Sequence, residues 1–318
     1  NPEEIFTSVI TAIKASLSQL ESLGYSSSDI QCCGISNQRE TFLLWDKEGN
    51  PLTNAIVWQC KRSVSICEEL KNNDEETFLR NKTGLFVDPY FSGTKLIWVY
   101  RNMENVKGNI DSGKGFFGTV DTWLLYKLTG GTSYKTDYTN ASRTLLFNLK
   151  ELQWDKDILD KFQISKLNLP EVCPSASHFG ESDFCGLFKQ PIPITAMIGD
   201  SHAAAFGERC FTRGSAKATM GTGSSILLNT GDYIDPEKTT MVSTMCWSTE
   251  NQIAYALEGI IVSCGSTITW LIDKLGLIKN GKEADDISES LDDNGGIYLI
   301  PAFSGLGAPW WKMNQKAV

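Results

Sequence analysis

The feature that most constrains the fold is a buried strand that ends in an acidic residue. Residues 192–198 form an apolar run that leads directly into Gly199-Asp200 and a series of small residues. A turn rich in glycine and threonine, Gly221-Thr222-Gly223, follows further along the chain. A carboxylate close to backbone donors that can hold phosphate is what phosphoryl transfer requires. Each part is common by itself, so the rest of the chain has to decide between a phosphate site and an ordinary turn.

The hydrophobic pattern predicts a layered α/β protein. Residues 3–23 predict an amphipathic helix that ends at Gly24, and residues 30–35 predict a short buried strand. A helix followed by a buried strand is typical of layered α/β domains. Further helices are predicted over residues 64–79, 118–128, 154–162 and 260–275. A second β-rich segment starts at residue 216, so we place a domain boundary near Arg213, with domains over residues 1–212 and 213–318.

Polar side chains follow the first predicted strand at the point where it ends. Arg39 and Glu40 are adjacent there, and a predicted hairpin over residues 42–45 and 55–58 brings Trp58 towards them. An aromatic ring beside an arginine–glutamate pair suits a polyhydroxy ligand, because the ring covers C–H faces while the charged groups bind hydroxyls. The alternatives are a surface ion pair and a tryptophan that only packs in the core.

Two further polar segments carry weaker signals. Tyr90 lies in a proline-containing turn, where it either faces a cleft or packs against its own loop. The polar run over residues 136–144 favours a turn, and we assign it a structural role without chemistry.

Charge and cysteine content exclude several classes of protein. A net charge of −9 without a basic run argues against a nucleic-acid surface, and there is no apolar run long enough to span a membrane. The nine cysteines are scattered without CxxC spacing and only two histidines are present, which argues against a zinc cluster. We expect buried thiols in a reducing cytoplasm. The acidic N-terminus lacks Met and resembles no signal peptide, so we expect the chain to start inside a longer protein.

Eight segments of the chain, taken in order, resemble the FGGY carbohydrate kinases. They cover residues 34–41, 54–59, 88–95, 118–124, 136–144, 220–223, 255–259 and 301–309. The resemblance implies a ribonuclease-H-like, actin-like ATPase architecture of two α/β domains, the second incomplete in this chain. It also implies transfer of the ATP γ-phosphoryl group to a terminal hydroxyl of a polyol with the help of Mg²⁺. Glycerol is the first expected acceptor, and family members often form dimers or tetramers.

The resemblance also assigns roles to individual residues. Asp200 matches the family's catalytic base and is expected to help place Mg²⁺. The expected acceptor-binding residues are Arg39, Glu40, Trp58, Tyr90, Asp200 and Ser201, and the expected nucleotide-binding residues are Gly221, Thr222, Gly223 and Gly265. The carboxylate would take the proton of the acceptor hydroxyl, and backbone donors of the glycine turn would hold phosphate oxygens.

The chain departs from the family members that phosphorylate glycerol at two positions. Ser201 stands where they have Gln, and Ser225 stands where they have Phe. Both changes predict a roomier and more polar pocket, so a longer polyol or a ketose, such as erythritol or xylulose, is an alternative acceptor. His202, beside the base, is expected to pack rather than to bind substrate.

The family's N-terminal phosphate loop and C-terminal adenine-binding segment fall outside this chain. We therefore expect the chain to keep the acceptor site and the base but to hold only part of the ATP site. The alternative from a different class is a complete, non-catalytic polyol-binding protein.

Overall fold

A computed structural model of the chain describes residues 1–303, 305–312 and 315. Ser304, within the family-like segment 301–309, and the last residues of the predicted second domain lie outside the described residues. The helices are α1 (Pro2–Ser22), α2 (Val64–Asn72), α3 (Glu75–Thr83), α4 (Ser92–Asn102), α5 (Glu104–Asp111), α6 (Val120–Leu128), α7 (Tyr138–Ala141), α8 (Lys156–Lys161), α9 (Asp200–Gly207), α10 (Gly265–Asp273) and α11 (Gly281–Glu289). The strands are β1 (Cys33–Asn37), β2 (Phe42–Trp45), β3 (Phe116–Thr119), β4 (Lys135–Asp137), β5 (Phe147–Asn148), β6 (Gln153–Trp154), β7 (Glu171–Cys173), β8 (Ala176–Ser182), β9 (Ile192–Gly199), β10 (Ala216–Met220), β11 (Ser224–Gly231), β12 (Val242–Thr249) and β13 (Gln252–Ile261).

One large sheet runs through both halves of the chain. Its strand order is β1-β9-β8-β12-β13-β11-β10. Strands β10 to β13 pair antiparallel with one another, and β12 meets β8 through a single parallel pair. At the other edge β1 and β9 are parallel, with Asn37 opposite Gly199. This register places the segments that follow the two strands side by side, at the carboxyl ends where α/β sheets bind ligands.

Three hydrophobic clusters fix the layers around the sheet. The first packs helices α2 to α5 against β2, and the second packs α1 and α6 against β1, β8 and β9. The third lies between Ala205 of α9 and apolar residues of β11, β12 and β13, among them Leu227, Trp247 and Ala256. The helix that begins at Asp200 is therefore packed on the strands of the second half of the chain.

Several predicted elements are confirmed. The first helix, the strand that leads to Gly199 and the strands on either side of the Gly221–Gly223 turn all form where the pattern placed them. Gly24 follows α1 with a φ of 84°, a conformation that glycine adopts without strain. Strand β1 begins at Cys33 rather than at residue 30, and Ser27–Asp29 forms a 3₁₀ turn inside the predicted loop.

The prediction of one helix over residues 64–79 was wrong. Helix α2 ends at Asn72 and α3 begins at Glu75, because Asp74 takes a left-handed φ of 58° between them. The run Asn72-Asn73-Asp74 explains the break, since short polar side chains compete for backbone hydrogen bonds and favour turns over helix interiors.

The predicted hairpin was also wrong in its second strand. Strand β2 pairs along its whole length with β3, and residues 55–58 contact it only through a bridge between Phe42 and Ile56. Two residues after Ile56, the Trp58 N–H donates to the Thr41 side-chain oxygen Oγ1 at 3.2 Å and not to a backbone carbonyl of a continued ladder. Residues 116–119 thus form a strand, so the helix predicted over 118–128 begins only at Val120.

The predicted helix over residues 260–275 is a strand followed by a shorter helix. Strand β13 continues to Ile261, and α10 begins at Gly265. The β-branched run Ile260-Ile261-Val262 favours the strand, since branched side chains suit a pleated surface.

Candidate active site

Arg39 and Glu40 lie buried just beyond β1. The backbone turns sharply at Glu40, which takes a left-handed φ of 61°, and the Thr41 N–H donates to the Arg39 carbonyl at 2.7 Å across the turn. A left-handed conformation at a residue other than glycine costs about 1–3 kcal/mol and persists where neighbours hold it. The Ser92 hydroxyl does so by donating to the Glu40 carbonyl at 2.9 Å. Arg39 is 5% exposed and Glu40 1%, which excludes the surface ion pair.

A network of two arginines and two glutamates surrounds this turn. Arg39 donates from both Nη atoms to the Glu258 carboxylate, at 3.2 and 2.9 Å. Arg143 donates from Nε to Glu40 Oε1 at 2.7 Å, and its Nη1 lies 2.8 Å from Glu258 Oε2. Burial opposes the charged form of Glu258, but Arg143 and Arg39 outweigh it and hold the pKa of that carboxyl well below its usual range. The four charges compensate one another, as buried ionic groups must.

Sequence reasoning missed Glu258 and Arg143. Arg143 lies within residues 136–144, for which a structural role without chemistry was expected, and it is fully buried between two glutamates. For Glu258 a signal was present. Along β13 every second residue from Ala254 to Ile260 is buried, and Glu258 lies on that face. A charge on an apolar face predicts a buried partner, although the pattern does not say which one.

Asp200 is the first residue of α9. Its side chain is 58% exposed, and its Oδ1 lies 3.6 Å from Arg39 Nε. The same oxygen accepts from the Ser201 N–H at 2.6 Å, and a carboxylate at a helix N-terminus is favoured by the helix dipole. Gly199 is required behind it, because a Cβ there would lie 2.7 Å from Arg39 Cγ. The structure thus brings the predicted base next to the predicted acceptor-binding arginine.

Trp58 and Tyr90 form an aromatic wall of a cleft of about 840 Å³. Their ring centroids are 5.5 Å apart in an edge-to-face arrangement. Both residues line the cleft, so Trp58 does not serve core packing alone. Burial raises the pKa of the Tyr90 phenol well above its usual range and keeps the hydroxyl neutral.

Ser201 and Ser225 line the same cleft and share a chain of polar contacts. The Ser225 hydroxyl donates to Glu258 Oε1 at 2.6 Å and lies 3.5 Å from the Ser201 hydroxyl. Lys217, which sequence reasoning missed, donates from Nζ to Ser201 Oγ at 2.8 Å. The two small side chains therefore continue the polar network from Glu258 to the residue beside the base.

The predicted nucleotide residues form a turn built from backbone. The Gly265 N–H donates to the Gly221 carbonyl at 2.8 Å, and a Cβ on Gly265 would lie 2.6 Å from that oxygen. A Cβ on Gly223 would lie 2.8 Å from the Ile261 carbonyl. Thr222 and Gly223 line the cleft, whereas Gly221 and Gly265 support the turn from behind. Glycine allows this approach of backbone to backbone because it has no side chain.

His202 is fully buried near the network. Within the part of the chain that the structure describes, neither ring nitrogen has a hydrogen-bond partner. Burial and the positive charge of Arg39 lower the pKa of His202 well below its usual value, so the ring is neutral. This environment fits the expected packing role.

The described residues contain no group of three or more histidine, cysteine or acidic side chains placed to hold a metal ion. Magnesium usually keeps several waters and binds one or two carboxylates together with substrate phosphates. The exposed Asp200 carboxylate fits such an ion.

All nine cysteines are free, but only four are buried, so the expectation of mainly buried thiols was wrong. Over the described residues, no helix is both long and apolar enough to cross a membrane.

Comparison with known proteins matches both halves of the chain to one family. The model of the FGGY family of carbohydrate kinases, N-terminal domain, matches residues 1–207, and the C-terminal domain model matches residues 216–318. Among curated proteins, the glycerol kinase of Caldanaerobacter subterraneus subsp. tengcongensis is 45% identical over 319 residues, covering 100% of this chain and 63% of the relative. Glycerol kinase 1 of Thermotoga maritima is 46% identical over 318 residues, covering 100% and 64%. The chain thus spans somewhat under two thirds of the length of these relatives.

Solved structures agree on the architecture. The Plasmodium falciparum glycerol kinase with ADP superposes with a TM-score of 0.90 at 38% identity, covering 100% of this chain and 63% of that one. A ligand-bound xylulose kinase from Lactobacillus acidophilus superposes with a TM-score of 0.83 at 22% identity, with the same coverage, and supports the fold alone. The mixed α/β architecture of the actin-like ATPases, predicted from the sequence, is confirmed.

Proposed function

The chain belongs to the FGGY family of carbohydrate kinases, and we propose that its protein transfers the γ-phosphoryl group of ATP to a terminal hydroxyl of glycerol. The observation that carries the proposal is the polar and aromatic acceptor site beside an exposed carboxylate. Arg39 Nε lies 3.6 Å from Asp200 Oδ1 and 3.9 Å from Glu40 Oε1, and Trp58 and Tyr90 provide an aromatic wall. The similarity to proteins named glycerol kinase supports glycerol as the acceptor.

We assign the chemistry to Asp200. The glycerol hydroxyl gives its proton to the carboxylate while its oxygen bonds to the γ-phosphorus, and the bond between that phosphorus and the bridging oxygen of ADP breaks. Arg39 and Glu40 orient the acceptor. Glu40 uses Oε1 for Arg143, which leaves Oε2 to accept from a hydroxyl. The two aromatic rings cover the carbon face of the polyol.

The glycine turn is proposed to hold the nucleotide phosphates through backbone N–H groups of Thr222 and Gly223, with Gly221 and Gly265 as its support. Magnesium, when bound, neutralises charge on the phosphates, and Asp200 is the residue we assign to it.

We further propose two domains, residues 1–212 and 213–318, and a cytoplasmic protein, since all nine cysteines are free thiols. A homodimer or homotetramer remains a prediction from the family resemblance.

A longer polyol or a ketose is the second candidate acceptor. Ser201 and Ser225 both line the cleft, and their short side chains leave room on the side of the base. Erythritol and xylulose are therefore matched against glycerol in the test. A non-catalytic polyol-binding protein is the remaining alternative.

The proposal is tested with the full-length protein, ATP, magnesium and a panel of glycerol, erythritol, xylulose and gluconate, with ADP release as the readout. Asp200→Asn should lower kcat by about 10²–10⁴-fold, the usual contribution of a general base. Glycerol binding, measured by calorimetry, should stay within a few-fold because the amide keeps the shape of the carboxylate. Asp285→Asn is the matched control, since Asp285 is exposed on α11. If none of the four acceptors in the panel supports ADP release, the kinase assignment is refuted.

A further inference from the structure

Lys95 is a buried lysine that lies beneath the aromatic wall. It belongs to α4 and has no solvent exposure. Its Nζ donates to three backbone carbonyls, those of Tyr90 at 2.6 Å, Pro89 at 2.9 Å and Trp58 at 3.4 Å. These carbonyls belong to two chain segments that are distant in sequence and that carry the two rings of the wall.

Burying an ammonium group is costly unless its hydrogen bonds are satisfied. Among the described residues Lys95 forms no ion pair within 4.0 Å, so its charge is held by backbone dipoles. Burial lowers the pKa of Lys95 to about 8, against the opposing effect of the groups that face it, namely Glu40, Cys60, Asp88 and Cys67. The energetic cost of burying Lys95 without a carboxylate partner is explained by the two backbone segments that its three hydrogen bonds connect.

We propose that Lys95 is the positioning residue of the acceptor wall: by joining the backbone at Trp58 to the backbone at Tyr90, it fixes the distance and angle between the two rings. The identity of the ligand rests on the function proposed above. Other bonds brace each segment separately. The Trp58 N–H donates to Thr41 Oγ1, and the Tyr90 N–H donates to Asp88 Oδ1 at 2.8 Å. Lys95 connects one segment to the other.

Replacement of the lysine by the similarly long methionine removes all three donors. In Lys95→Met the KM for the acceptor should rise about tenfold or more, as expected for loss of hydrogen bonds to a charged group, while kcat and the KM for ATP stay within about twofold. Lys95→Gln, which keeps two N–H donors, should fall between wild type and Lys95→Met. Lys150→Met is the control, because Lys150 is exposed. Equal acceptor KM values in wild type and Lys95→Met would overturn the proposal.

The pH dependence of the acceptor KM distinguishes a positioning role of Lys95 from a role in packing alone. Above about pH 8 the ammonium loses a proton and keeps two N–H donors for three carbonyls. The acceptor KM of the wild type should therefore rise as the pH passes through this value, whereas Lys95→Met should show no such rise. Cys60 faces Lys95 and also titrates, so Cys60→Ser must retain the rise. A rise that survives in Lys95→Met would assign the effect to another group and refute the proposal.

A readout that does not depend on turnover makes the test independent of the proposed function. The full-length protein is labelled with 5-fluorotryptophan, and the ¹⁹F signal of Trp58 is assigned with Trp58→Phe. The signal should shift or broaden in Lys95→Met and in wild type above about pH 8, and should be unchanged in Lys150→Met. If no acceptor is phosphorylated, this signal still decides the role of the lysine. If Lys95→Met does not fold, Lys95→Gln and the wild-type pH series give the same decision, and an unchanged signal in both refutes the proposal.

Discussion

The two parts of the proposed site are built in different ways. The proposed acceptor side depends on side chains: Arg39 and Glu40 are buried charges held by Glu258 and Arg143. The proposed phosphate side depends on backbone: the turn over residues 221–223 packs against the end of β13 and the start of α10, where glycines allow atoms to approach closely. Acceptor binding should therefore weaken when a charge is removed from the first part, and nucleotide binding should weaken when an atom is added to the second.

The difference agrees with what each side is proposed to recognise. A polyol offers hydroxyls at fixed angles, and charged groups in fixed positions bind them selectively. Phosphate oxygens accept from any well-placed N–H, so backbone donors suffice, but the backbone has to come close. The two sides are also coupled, since Glu258 lies on β13 while Arg39 and Arg143 belong to the first half of the chain.

The largest effect is expected when Glu258 loses its charge. Glu258→Gln leaves Arg39 and Arg143 buried without their shared counter-charge, and removal of one partner from a buried ion pair costs about 3–5 kcal/mol. The free energy of unfolding, measured with urea, should fall by about that amount, and the acceptor KM should rise because Arg39 is no longer held. Glu289→Gln on the exposed face of α11 is the control and should be neutral. If both variants are equally stable, the acceptor side does not depend on charge pairing.

A smaller effect is expected when a methyl group is added on the phosphate side. In Gly265→Ala the new Cβ would lie 2.6 Å from the Gly221 carbonyl oxygen, so the turn has to move. Overpacking of this kind costs about 1–3 kcal/mol, and the KM for ATP should rise while the acceptor KM changes less. Gly281→Ala provides the control, since its Cβ would meet nothing within 4 Å. An acceptor KM that rises as much as the ATP KM would break the distinction between the two sides.

The sequence predicted local elements better than contacts between distant segments. The strand ending in Gly199-Asp200 and the glycine turn are local patterns, and both formed where expected. The ion pair between Arg39 and Glu258 joins residues 219 positions apart, and no local pattern specifies such a partner. The alternation along β13 identifies the buried face of Glu258 but not what lies against it. The role of Lys95 could not be predicted from the sequence either, because its hydrogen-bond acceptors are backbone carbonyls, which every residue possesses.

The chain also shows where periodicity is ambiguous. The apolar run over residues 260–275 predicted one helix, yet its first part completes a strand and Gly265 starts the helix. Short apolar runs fit either element, and the decision rests on pairing partners elsewhere in the chain. Here the partner is β11, whose residues Ser224 and Ser225 pair with Ile261 and Ile260.

The smallest effect is expected at Ser225, where the acceptor side meets the phosphate side. Ser225→Phe removes the 2.6 Å hydrogen bond to Glu258 and adds apolar volume to the cleft that Trp58 lines. The ratio of kcat/KM for erythritol or xylulose to that for glycerol should fall about tenfold, since small differences in pocket size are worth roughly 1–3 kcal/mol. Ser225→Ala removes the hydrogen bond without adding volume, so it should leave this ratio within about twofold. A ratio that falls equally in both variants would show that the serine acts through Glu258 and the charged network, whereas a fall in Ser225→Phe alone would show that the size of the side chain selects the acceptor.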